Sequence, residues 1–200
     1  MITWLLLIFQ IVLLLVAYFM VFRVFYILTT FKKQVPYVPT PRRAIKKMLE
    51  ASGIVEQANA NSKTIVKVID LGCGTGKMLF HIARLTPKNA RLYGIEQSRL
   101  LYYCSKLRLF FSPRKSRIDF IHGNWSTINL SEFKYAFLFL TTPGFNSLFP
   151  KFKNELLAGS KVTSYLFSLP DTPEVTSIFD VQKVAWRGKD RVFVYTKNKS

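Results

Sequence analysis

The sequence predicts an α/β domain: a mostly parallel sheet, closed by an antiparallel C-terminal hairpin and preceded by one apolar N-terminal helix. Three observations lead there. Apolar runs of strand length alternate with helical patterns from Thr64 onward, the mark of a parallel sheet with right-handed crossovers. The stretch VIDLGCGTGK (Val68–Lys77) sets three glycines directly after the first of those runs. The first 22 residues hold no charged side chain.

That opening segment comes first. Ile2 to Phe22 is interrupted only by Thr3 and Gln10. At about 1.5 Å per residue it reaches roughly 30 Å, the hydrocarbon thickness of a bilayer. A cleaved signal peptide would show a basic start, a shorter apolar core and a small-residue cleavage site. Here no Lys or Arg precedes the core, and Val21-Phe22-Arg23 is no such site. We therefore expect a retained, single-pass membrane anchor, with the bilayer as a partner. Val24 to Phe31 either extends the helix or lies along the interface. Lys32, Lys33, Arg42, Arg43, Lys46 and Lys47 all follow the apolar run. The positive-inside rule then puts the remaining chain on the cytoplasmic or matrix-like side. KKQVPYVPTP carries three prolines in six residues and reads as a stiff connector. The expected organisation is an anchor over 1–31, a proline-rich linker over 32–39 and a domain over 40–200.

Within the domain, Thr40-Pro41 reads as a helix cap followed by proline at the first helical position. RRAIKKMLEAS follows, and Gly53 stops it. Thr64 to Ile69 is the first strand. Gly76 to Leu85 is a helix with Met78, Leu79, Ile82 and Ala83 on its inner face. Arg91 to Ile95 is the second strand, ending at Glu96. Ser98 caps a helix that runs to about Phe110. Arg117 to Ile121 is the third strand and Tyr135 to Leu140 the fourth, apolar on both sides as a central strand is. Phe145 to Leu157 reads as helical and Lys161 to Leu169 as the fifth strand. Residues 170–179 hold two prolines and little helical pattern. VQKVAWRGKDRVFVYTK closes the chain as two strands about a turn at Arg187–Asp190.

In such sheets a ligand sits at the carboxyl ends of the strands, so the glycine loop is the place to look. A phosphate-binding loop needs G-x-x-x-x-G-K-[ST]. Leu71 stands where its first glycine belongs, and Met78 follows Lys77. A dinucleotide fold needs G-x-G-x-x-G. Gly72, Gly74 and Gly76 are spaced by one residue each, and Lys77 occupies the third glycine's place. Both ligands fit poorly.

The arrangement hhDhGxGxG, from Val68 to Gly76, resembles motif I of class I S-adenosylmethionine-dependent methyltransferases. The resemblance implies a Rossmann-like fold and S-adenosyl-L-methionine as cofactor. Bare glycine backbone lets the nucleoside and methionine parts lie close. Asp70 takes hydrogen bonds from loop amides or from the ligand's ammonium. Glu96, at the tip of the second strand, accepts the ribose hydroxyls, with Cys73 and Gln97 beside these groups. The adenine falls near the end of the third strand. The family has an acidic residue there, whereas this chain has Asn124, whose amide also hydrogen-bonds an adenine edge. Trp125 either lines the pocket or packs in the core. His81 and His122 read as structural.

The anchor, PYVPT (Pro36–Thr40), DLGCGTGK, GIEQS (Gly94–Ser98) and NW together are similar to a small group of membrane-anchored lysine methyltransferases. Its characterised mitochondrial members modify the adenine nucleotide translocase and the ATP synthase c-subunit. The resemblance implies a lysine of a membrane protein as substrate, with Tyr37 and Trp125 as candidates to line the catalytic mouth. Tyr37 has an alternative role as a linker aromatic on the sheet edge.

Charge leaves rivals open. Twenty-nine Lys and Arg face 11 Asp and Glu, a net +18, all of it outside the first 22 residues. This excess suits a nucleic-acid surface, an anionic membrane surface or plain solubility. An RNA or lipid-amine methyltransferase, or a cofactor-binding membrane protein without turnover, stays in contention. TTPGF after the fourth strand lacks the amide or acid of the DNA amino-methylating motif. Cys73 and Cys104 form no metal spacing or disulfide framework, and no metal site is expected.

Overall fold

The computed structural model describes residues 2–31, 38–60 and 63–199. Two compact units divide it, Met1–Val38 and Pro39–Ser200. The first contains one unbroken helix, α1 (Ile2–Phe31), so the stretch after Arg23 continues the helix. Its Trp4–Tyr26 segment is long and apolar enough to cross a membrane. Arg23 is its one charged residue and lies over the Phe19 ring.

The second unit is a seven-stranded sheet in the order β3-β2-β1-β4-β5-β7-β6. The strands are β1 (Val66–Leu71), β2 (Ala90–Glu96), β3 (Ile118–His122), β4 (Tyr135–Leu138), β5 (Lys161–Tyr165), β6 (Phe179–Arg187) and β7 (Asp190–Lys197). The first five run parallel, and β7 lies antiparallel between β5 and β6. The strand order therefore reverses between β1 and β4, where β1 delivers the glycine loop.

Alternation along the strands feeds two cores. Val66 and Val68 of β1 face α2 (Arg42–Ser52), α3 (Ile54–Ala60), α4 (Lys77–Leu85) and α5 (Arg99–Phe110). Ile69 and Leu71 face α6 (Thr142–Glu155) and α7 (Pro173–Ile178). The link from β3 to β4 has only a 3₁₀ turn, Trp125–Thr127, and a segment whose Leu130 and Phe133 plug the second core.

Several elements depart from the sequence expectation. Pro41, not Thr40, occupies the cap of α2, and no side chain caps that helix. The first strand runs on through Asp70 to Leu71. α3 was unforeseen, because only Ile54 and Ala58 of its seven residues are buried. α6 begins three residues earlier than expected, and burial of Phe145, Leu148 and Phe152 carries it through Pro150. β5 stops at Tyr165. Residues 173–178 are helical, capped by the Thr172 side chain and started by Pro173.

One buried cation holds α4 to the sheet edge. Arg117 is 8% exposed. It donates to the carbonyls of Ala83, Thr86 and Pro87. The Ala83 and Thr86 carbonyls stand at the end of α4, where acceptors lack intrahelical partners and the helix dipole favours a cation, while the Pro87 carbonyl lies beyond it and also accepts from the Ala90 amide. Arg117→Met should lower unfolding stability in detergent by about 2–4 kcal/mol, since it strands those carbonyls. Denaturant titration checks this, and Arg117→Lys should recover part of the loss.

Candidate active site

The site is built where the chain leaves β1. Register pairs Asp70 with Gly94 of β2 and Phe137 of β4, so its carboxylate emerges in the middle of the sheet. The amides of Gly72 and Cys73 then donate to the Ile95 carbonyl at 2.9 and 3.0 Å. Gly76 donates to the Cys73 carbonyl at 2.8 Å. This tight path uses left-handed backbone at Gly72, Gly74 and Gly76, with φ of 80, 55 and 73°.

The loop also lies unusually close to the sheet. A Cβ on Gly94 would stand 2.7 Å from the Cys73 sulfur and 2.9 Å from the Phe120 ring. A Cβ on Gly76 would overlap that same ring. Phe120 thus supports the loop from β3, and both glycines make room for it.

Glu96 ties the parts together. Its Oε2 accepts from the Gly74 amide at 2.7 Å and its Oε1 from the Ser98 amide at 2.8 Å. A carboxylate offers about four acceptor positions, so roughly two remain open for hydroxyls of a ligand. The loop amide therefore goes to Glu96 and not to Asp70. Asp70 is 7% exposed, and among the described residues its carboxylate accepts no hydrogen bond that would satisfy it. Burial first, then the charge of Glu96, pushes its pKa up to about 7. An orphaned buried carboxyl beside a glycine cradle fits a ligand that brings its own cation, as S-adenosylmethionine does.

The other expected residues fall around this centre. Cys73 is buried, and burial raises its thiol well above the ordinary range, so it stays protonated. Gln97 gives its carbonyl to a 3.2 Å contact with His122 Nε2. His122 also packs on Tyr102, a structural role. The Gly123 amide donates to the Glu96 carbonyl at 3.0 Å, which brings Asn124 beside the same strand end. The Asn124 oxygen accepts from Ser126 N at 3.0 Å and caps the 3₁₀ turn, leaving its NH₂ as the available group. Trp125 is half-buried against the second core. An open cleft of about 560 Å³ runs from Asn124 and Trp125 along α6 to Lys151 and Glu155. Tyr37 lies outside the described residues.

Three groups escaped the sequence reading. Lys77 donates to the Thr40 carbonyl at 2.7 Å and pins the entry of the chain beside the loop. Arg108 donates to the Thr75 carbonyl and lies 4.5 Å over the Phe80 ring. At the ends of β4 and β5, Phe139 stacks on Phe167 at 6.2 Å and meets Tyr165 at 4.9 Å. Leu166 holds a φ of 67° between those aromatics, the one non-glycine residue with positive φ among the described residues. Lys77 was visible only as a residue that spoiled other motifs, and the aromatic group had no local signal.

Comparison with known proteins agrees with this geometry. A protein-lysine N-methyltransferase of Saccharolobus islandicus (strain REY15A) is 29% identical over 136 residues, 68% of this chain and 78% of that protein. The crystal structure of an RNA methyltransferase from Salinibacter ruber, in complex with S-adenosyl-L-homocysteine, shares the fold with a TM-score of 0.68. It is 24% identical and covers 82% of this chain and 95% of its own. A human methyltransferase 10 domain containing protein shares the fold with a TM-score of 0.61 at 11% identity, covering 80% of this chain and 85% of its own. Residues 70–176 match the family described as the ANTKMT methyltransferase domain. The protein is an S-adenosylmethionine-dependent methyltransferase, and its chain belongs to the ANTKMT methyltransferase domain family.

Proposed function

We propose that the enzyme is a membrane-anchored protein-lysine N-methyltransferase that modifies a lysine of a membrane protein. The observation that carries this reading is the entry of the chain into the domain. The Thr40 carbonyl, just past the connector from the apolar helix, is bound by Lys77 at the head of the cofactor loop. The Trp4–Tyr26 helix, long and apolar enough to cross a membrane, supports a membrane target. The relative named a protein-lysine N-methyltransferase supports lysine as acceptor. The basic residues after the apolar run support a cytoplasmic or matrix-like domain.

The geometry supports the following roles. Glu96 accepts the ribose hydroxyls on its free acceptor positions. Asp70 receives the ammonium of the methionine part, with Gly72, Cys73, Gly74 and Gly76 as the floor. Gln97 flanks the ribose, and the Asn124 NH₂ donates to the adenine edge. Trp125 lines the mouth, joined by Phe139 and Phe167. The cofactor supplies an electrophilic methyl on a sulfonium. The acceptor nitrogen forms the new N–C bond, and the sulfur keeps the electrons of the old one. The lysine must first lose a proton to water. An aromatic mouth disfavours the ammonium form and lowers that cost. The chain otherwise aligns the amine and excludes water. No base is required for the transfer itself.

The decisive experiment incubates the full-length enzyme and native membranes with methyl-labelled cofactor and then separates protein, lipid and nucleic acid. Label in a membrane protein, stable to base and lost on lysine blocking, is expected. Label in lipid or RNA overturns the lysine assignment.

Two further outcomes test the cofactor roles. Glu96→Ala should weaken cofactor binding about 10- to 100-fold with the fold retained, the worth of charge-assisted hydrogen bonds. Isothermal titration reads this directly, and unchanged affinity removes the ribose assignment.

Asp70 predicts a pH dependence. Its folded pKa of about 7 lies above the ordinary carboxylate value, so the free folded enzyme holds a proton that the unfolded chain has lost. This contribution to stability is complete below about pH 4 and disappears as pH rises towards and past 7. A cation against Asp70 expels that proton, so cofactor affinity should rise between pH 5.5 and about 7.5 and then level off. Asp70→Asn should flatten the profile, and a flat wild-type profile would discard the ammonium contact.

A further inference from the structure

The outer face of α5 is apolar where a solvated helix is polar. Leu100, Tyr103, Leu107, Phe110 and Phe111 are 41, 65, 63, 70 and 76% exposed, and Cys104 is exposed among them. At roughly 100° per residue these six positions fall within an arc of about 120°. Leu101, Ser105 and Leu109 occupy the opposite side and face the core. The helix is thus apolar on two faces, and only the inner one is used by the fold.

Cations border the outer arc on both sides. Arg99 and Lys106 flank one edge by the same angular count; Arg108 borders the other, with its guanidinium turned to the Thr75 carbonyl and the Phe80 ring. Arg114 and Lys115 follow the helix, and the Lys115 ammonium lies 5.9 Å from the centre of the Phe110 ring. Between Gln97 and Ile118 there are six basic residues and no acid. Elsewhere four of the 11 acids, Glu50, Glu132, Glu155 and Glu174, pair with lysines.

We infer that this face docks onto an anionic lipid surface. Leucine and phenylalanine enter the acyl boundary, while the flanking Arg and Lys heads meet the anionic headgroups. The charge decides for lipid over a protein groove, because nothing on this arc offers an acid to a basic partner. Leu100 and Leu107 stand among the rings and offer bases nothing to stack on, while Tyr103, Phe110 and Phe111 make single-stranded RNA a separate outcome of the test. The inference rests on the membrane-anchor reading of α1 in one respect, since that helix brings a bilayer within reach. Such docking would fix how the mouth at the carboxyl edge of the sheet is presented to a membrane target.

The test uses the full-length chain in vesicles. Cys104 takes an environment-sensitive fluorophore, since Cys73 is buried. The control carries the same fluorophore at Asn146→Cys in a Cys104→Ser background, on α6 of the opposite face. Vesicles contain phosphatidylcholine alone or with phosphatidylserine, plus a lipid-borne quencher. Quenching at Cys104 should exceed the control several-fold in the anionic vesicles, and less so in neutral ones. Leu107→Glu and Phe110→Glu, at exposed positions, should return it to the control level with cofactor affinity unchanged. Equal quenching at both positions overturns the inference. A response to single-stranded RNA without lipid would assign the face to nucleic acid, and a response to protein concentration in detergent would assign it to a second copy; either overturns it too. If the chain fails to co-float with neutral vesicles, the anchor reading of α1 falls. Co-flotation without selective quenching removes the α5 assignment alone.

Discussion

The cofactor loop can lie against the sheet only because two side chains are missing beneath it. Gly94 and Gly76 leave room for the Phe120 ring and the Cys73 sulfur, and a methyl group at either place would force the loop outward. Everything downstream depends on that contact. It brings the Gly74 amide within 2.7 Å of Glu96. It starts α4 at Lys77, which reaches the Thr40 carbonyl. It also sets Asp70 deep enough that its carboxyl is pushed towards neutrality. A class of protein that must hold a large ligand with little side-chain chemistry does so by bringing backbone close, and close approach is a packing property.

The two carboxylates divide the electrostatic work. Glu96 is satisfied by backbone amides before any ligand arrives, so its position is fixed in advance. Asp70 is not, and its burial beside another carboxylate costs free energy that a bound cation would relieve. Preorganisation on one side and a relieved strain on the other give binding both geometry and driving force.

Much of this was legible in the sequence, for physical reasons. The α/β alternation, the strand-end position of Glu96 and the Ser98 cap depend on short-range chemistry, and each has a local signature. Helix α5 was read correctly in extent, but its outer face was not, because periodicity does not tell which of two apolar stripes the fold covers. α3 and α7 were too short for a period to register. The start of α6 was missed because Thr142–Gly144 looks like a loop until Phe145 is seen to be buried. Asn124 was legible as a polar group at the end of the third strand, but not the fact that its oxygen is already spent on a turn. Such losses share a cause. A cap, a support ring or a covered face is set by a partner far along the chain, and the partner is visible only after folding.

Methyl transfer from a sulfonium asks for alignment and dryness more than for acid–base machinery. Selectivity then has to come from what is allowed to approach the mouth. Three features of this chain act on approach. On the proposed reading, the apolar helix would hold the enzyme at a surface. The Lys77–Thr40 contact fixes the start of the domain beside the cofactor loop. The basic, apolar face of α5 would offer a second footing on the same surface. A tether alone would leave the domain free to turn. A second footing would remove that freedom, and with it most of the orientational entropy that an encounter would otherwise have to overcome. On this view substrate choice is written in the positions of exposed leucines, phenylalanines and arginines as much as in the pocket. The chemistry at the sulfonium can then stay generic while the surface makes the enzyme specific.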